Sequence, residues 1–138
     1  MISLIFLNYK PESAYTLNQK LVSNYKKIGD AYLADMRRGM SKQLTDYGLY
    51  RYLQDVYNAY WVIIGGLAEG TYEDTEKIYK DQAFFEKQCD GMLKNIKGGV
   101  PDKVYDGISI KVSGVKLLIQ KLIYIVSNYC ERNDGGNV

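Results

Sequence analysis

The stretch TDYGLYRYLQDVYNAYWVIIGG, Thr45 to Gly66, decides the fold class of this chain. On a wheel of about 100° per residue, Leu49, Leu53, Val56, Tyr60, Ile63 and Ile64 share one arc. Arg51, Gln54, Asp55 and Asn58 fall opposite, so the pattern is that of an amphipathic helix facing a core. Thr45 and Asp46 offer side-chain oxygens for the helix start, and Gly65-Gly66 offers a left-handed stop. The stretch also carries the only Trp and five of the 14 Tyr. Tyr50, Tyr57 and Trp61, spaced by seven and four, form a second row beside the aliphatic arc. That aromatic shoulder has two readings: packing against another helix of the same chain, or burial at a subunit interface, where Tyr and Trp combine large area with a polar handle.

Upstream, Ala14, Leu17, Leu21, Val22, Tyr25, Ile28, Tyr32, Leu33 and Met36 keep three-four spacing, which predicts a helix from Pro11 to Met36. Pro11 suits a first helical turn, Arg37 and Arg38 favour the negative end of the helix dipole, and Gly39 is a stop. Met40 to Leu44 reads as a linker or one extra turn. Downstream, Thr71 with Asp74 resembles a capping box. A helix from there to Lys97 would bury Tyr72, Ile78, Tyr79, Phe85, Cys89, Met92, Leu93 and Ile96. Glu73–Lys77, Glu76–Lys80 and Asp90–Lys94 are acid-before-base pairs at four-residue spacing, and Gly98-Gly99 follows.

Two segments read as extended. Residues 1–7 are apolar on both faces, and Ile108, Ile110 and Val112 alternate with Ser109 and Lys111 after an Asp106-Gly107 turn signal. Pairing the N-terminus with residues 107–112 gives a small two-stranded β element. Ser113 then caps a last helix burying Val115, Leu118, Ile119, Leu122, Ile125, Val126 and Tyr129. The expectation is a mainly α chain. It is a four-helix bundle in one domain, residues 1–138, with that β element, an apolar N-terminal arm (1–10) and a polar C-terminal tail (131–138).

Composition narrows the function. The 138 residues include no His, which removes the commonest general base and metal ligand. Two Cys, Cys89 and Cys130, on separate predicted helices form neither a zinc pattern nor a disulfide framework. None of the glycine pairs precedes Lys-Ser/Thr, so no phosphate-binding loop is present. Glu69, Glu73, Asp74 and Glu76 cluster where a helix dipole already accounts for them. We therefore expect no catalytic residues, no cofactor, no metal and no enzyme. Residues 1–7 lack a basic leader and a small-residue cleavage site, and Val115–Val126 is too short and too charged to span a bilayer. The expected location is a virion or the cytoplasm, without secretion or membrane contact.

Net charge is +2 overall, but +3 over residues 1–66, −2 over 67–99 and +1 beyond. Opposite charge on the first and third helices would let identical subunits pack head to tail in a ring. The candidate interface residues are Tyr50, Tyr57 and Trp61, with Ile2, Leu4 and Phe6 of the apolar arm. The chain resembles, in class, the small helical proteins that form adaptor or connector rings in tailed-phage particles. The expected partners are copies of itself and other proteins of an assembly. The alternative is a nucleic-acid-binding accessory protein whose first helix presents Lys26, Lys27, Arg37 and Arg38, with Lys42 nearby, to phosphates. A small immunity or regulatory protein is a third reading.

Overall fold

The structure, a computed structural model, describes residues 11–137, and the side chains of residues 19–127. Among the described residues the chain forms five helices and no strand: α1 (Pro11–Gly39), α2 (Ser41–Asp46), α3 (Tyr50–Glu69), α4 (Thr75–Ile96) and α5 (Asp102–Asn137). The four long helices make a helical bundle. They follow one another around it as α1, α3, α4 and α5, and α5 closes against α1. Their short connections set neighbours antiparallel. Asp35 and Lys111 pair across α1 and α5 while Gly114 lies against Tyr32 farther up α1, as opposed directions require.

The α3 stripe is the centre of the core. Leu53, Val56, Tyr60 and Ile63 are fully buried, with Leu49 and Ile64 beside them. From α1, Val22, Leu33 and Met36 meet this stripe. Ile78, Phe85, Cys89, Met92 and Ile96 come from α4, and Ile108, Val112, Val115, Ile119, Leu122 and Val126 from α5. Every one of these sets has the three-four spacing of a helix face turned inward.

The boundaries of the central helix differ from the sequence reading. Thr45 and Asp46 end the short α2 instead of starting α3. Gly48, at φ 63°, breaks the chain between the two helices, and Leu49 rather than a polar residue precedes α3. Gly65 and Gly66 lie inside α3, which stops at Gly70 with φ 64° and its N–H bonded to the Gly66 carbonyl. The helix continues because Leu67, one turn beyond Ile63 and Ile64, still faces the core. Asp74 caps α4, its carboxylate accepting the Lys77 N–H at 2.8 Å, and Thr71 is not the cap. Of the three predicted pairs only Glu76–Lys80 forms. Lys77 turns to Asp81, and Asp90 bonds Lys116 of α5.

The β element is absent, because residues 107–112 belong to α5. Ile108 and Val112 are buried, a pair at i, i+4, while Ile110 between them is 71 % exposed. An alternating triad and a helical pair share their outer members, so alternation alone could not separate them. Asp106-Gly107 and Ser113 are accordingly interior to the helix, not a turn and a cap. Tyr79 and Ile28, read as core, are about half exposed. The arm over residues 1–10, with Ile2, Leu4 and Phe6, lies outside the described residues. The polar stretch 131–137 continues the α5 backbone.

Glycine notches filled by tyrosine rings join α1 to α3 and α5 to α1, and seat the α3–α4 connection on α3. A Cβ on Gly29 of α1 would strike the Tyr60 hydroxyl of α3. One on Gly66 of α3 would strike the ring of Tyr72. One on Gly114 of α5 would lie 2.6 Å from the ring of Tyr32 of α1. The tyrosine content is thus partly internal. The rings of Tyr60 and Tyr32 fill close helix–helix approaches, and Tyr72, in the α3–α4 connection, fills a notch on α3.

Candidate functional site

The α1/α3 seam joins both residue sets that the sequence singled out. Tyr60, fully buried, donates its hydroxyl to the Lys26 carbonyl at 3.2 Å and packs edge-on against Trp61, ring centres 5.7 Å apart. Burial first, and the Asp30 carboxylate second, push the Tyr60 phenol well above its ordinary range, so it stays neutral. Lys26 bonds Asp30 at 3.0 Å, and its ammonium sits 4.4 Å from the centre of the Trp61 ring. Trp61 remains 45 % exposed. Farther along, Tyr57 is half-buried against the core. Burial raises its phenol, the Arg37 guanidinium opposes that rise, and Asp30 and Tyr50 add to it. Tyr50 is 51 % exposed. The shoulder is therefore divided: Tyr57 packs inward, whereas Trp61 and Tyr50 reach solvent.

The basic row is partly neutralised. Lys26 pairs with Asp30, and Arg38 pairs with Asp35, which also takes Lys111 at 3.3 Å. Lys27, Arg37 and Lys42 are exposed and have no acidic partner among the described residues. The seam brings Lys26, Arg37, Tyr57 and Trp61 together. It leaves Lys42 on α2.

A groove of about 600 Å³ at the start of α4 is lined by Val62, Tyr72, Asp74, Lys77 and Asp81, among others. Its polar groups serve the fold. Tyr72 donates to Asp81 at 2.7 Å, Lys77 pairs with the same carboxylate, and Asp74 caps the helix. Among the described residues, no group of three His, Cys, Asp or Glu side chains is placed to hold a metal ion. Cys89 is buried, and burial pushes its thiol up to about 12, far from the thiolate that nucleophilic chemistry needs. No described helix is long and apolar enough to cross a membrane.

One surface escaped the sequence reading. Ile110, Leu117 and Tyr124, spaced by seven on α5, are 71 %, 51 % and 68 % exposed. The signal was present as a heptad spacing opposite the Val112–Val115–Ile119–Leu122 face. Treating residues 108–112 as a strand concealed it.

Comparison with protein-family models, curated proteins and solved structures found no match to this chain.

Proposed function

We propose that this chain is a non-catalytic assembly protein, a subunit that associates with copies of itself and with other proteins of a larger complex. A connector or adaptor ring of a phage virion is the concrete form we infer, with the cytoplasm as the alternative location. The observation that carries the reading is the exposure of Trp61 and Tyr50 beside the half-buried Tyr57, on a helix whose remaining apolar residues are nearly all packed. Large aromatics left half in solvent are the residues most enriched at protein interfaces, and they concentrate binding energy there. The absence of His and of any phosphate-binding loop in the sequence supports a role in contact instead of chemistry.

The test is sedimentation velocity on the wild-type chain and on the double variant Trp61→Ala, Tyr50→Ala. Self-association is expected in the wild type and should be weakened in the variant, with the fold, checked by circular dichroism, retained. An assembly indifferent to both substitutions would remove the seam from the account.

The juxtaposition of Lys26 and Arg37 with Tyr57 and Trp61 favours one second reading, single-stranded nucleic acid held by cations and stacking rings. Asp30 and Asp35 already occupy Lys26 and Arg38, so fewer cations remain for phosphates, and assembly is the stronger reading. Fluorescence anisotropy with labelled oligonucleotides decides between them: salt-sensitive binding lost on Trp61→Ala would favour nucleic acid.

A further inference from the structure

On α5, the face away from the core carries a second row. Lys103, Asp106, Ile110, Ser113, Leu117, Lys121 and Tyr124 follow one another at three- and four-residue steps, and all are exposed. At 1.5 Å per residue the row is about 30 Å long. A lone exposed apolar residue needs no explanation, but three in register along one helix do.

The row is complementary to itself when reversed. Laid antiparallel on a second copy, with the two-fold axis passing between Ser113 and Gly114, it sets Ile110 opposite Leu117 of the other copy. The same register sets Asp106 opposite Lys121, and Lys103 opposite the ring of Tyr124. The exposed hydroxyl-bearing Ser113 falls at the crossing, where a small side chain allows close approach. Each contact then occurs twice, as an isologous interface requires. A parallel pairing would instead face Lys121 with Lys121 and Asp106 with Asp106, like charges against like.

We propose that α5 forms a two-fold, antiparallel contact with α5 of a second copy of this chain, in this register. The proposal rests on the self-association inferred above but uses a different surface, so the two can fail separately. Because one helix face from each copy is a small interface, the dimer is weak, formed and lost with concentration.

Sedimentation velocity over micromolar to millimolar concentrations reads the contact. Leu117→Glu and Ile110→Glu change exposed side chains, so the fold, checked by circular dichroism, should persist while the dissociation constant rises by about tenfold or more. Asp106→Lys and Lys121→Asp should each weaken the dimer, and the double reversal should restore it, an outcome that nonspecific stickiness cannot produce. Oxidation of Ser113→Cys should give a covalent dimer beyond the wild-type background, whereas Tyr124→Cys, far from its own copy in this register, should not. A dimer unaffected by the α5 variants but lost with Trp61→Ala, Tyr50→Ala would overturn the α5 contact and leave the assembly reading standing. Crosslinking through Tyr124→Cys in place of Ser113→Cys would overturn the antiparallel register. A wild-type monomer at every concentration would overturn both.

Discussion

Gly65 and Gly66 are adjacent in α3, yet replacing them with Ala should move stability in opposite directions. Around Gly65 there is nothing within 4 Å of an added Cβ, and its φ is not positive, so the methyl enters open space. Alanine there gains the helix propensity that glycine lacks, about 0.5–1 kcal/mol. Around Gly66 the same methyl strikes the ring of Tyr72, which is nearly buried and tied to Asp81 by its hydroxyl. The ring cannot withdraw without losing that bond. Overpacking of this kind costs about 1–3 kcal/mol, which exceeds the propensity gain and leaves a net loss of roughly 0.5–2 kcal/mol. At roughly 2–6 °C per kcal/mol for a chain of this size, thermal melts resolve both effects. Gly65→Ala should melt a few degrees higher than wild type and Gly66→Ala a few degrees lower. In a Tyr72→Ala background the notch is empty, and Gly66→Ala should become stabilising, a coupling that a double-mutant cycle measures. Equal stabilisation by both alanines would refute the notch, and with it the account of how α3 meets Tyr72.

Further outcomes follow from the same geometry. Gly114→Ala, which collides with Tyr32, should destabilise by about 1 kcal/mol or more, while Gly107→Ala on the same helix, with open space around it, should stabilise by about 0.5 kcal/mol; urea unfolding midpoints compare the two. Phe85→Ala removes a fully buried ring beside Tyr60 and should lower stability by about 3–5 kcal/mol, enough to leave much of the chain unfolded in mild denaturant. Alkali should destabilise the fold. Cys89 is raised from 9.0 to about 12, and Tyr60 and Tyr72 are raised from 10.0, so these groups ionise more readily unfolded than folded. Their contribution is complete below about pH 9 and is lost as pH climbs toward the folded values. Unfolding midpoints should therefore fall steeply above about pH 9 and stay nearly flat between about pH 7 and 8.

The periodic parts of the fold were legible in the sequence. Leu49, Leu53, Val56, Tyr60, Ile63 and Ile64 could be placed on one buried face from spacing alone, because a helix in a bundle must turn its apolar stripe inward. What spacing does not contain is the partner. Gly65-Gly66 reads as a stop unless Tyr72 is known to need a notch at the second glycine, and Gly114 is equally mute about Tyr32. Ile110 misled because an outward apolar residue between two inward ones imitates a strand. The candidate seam was half legible. Trp61 and Tyr50 could be flagged as a row beyond the core stripe, but only the packing of α1 on α3 places Lys26 on the Trp61 ring and separates inward Tyr57 from its exposed neighbours.

Self-association is the central claim, and sedimentation velocity of the unmodified chain over a rising concentration series tests it most directly. The weight-average sedimentation coefficient should climb with concentration toward a dimer or larger species. A coefficient that stays at the monomer value up to millimolar protein would contradict it.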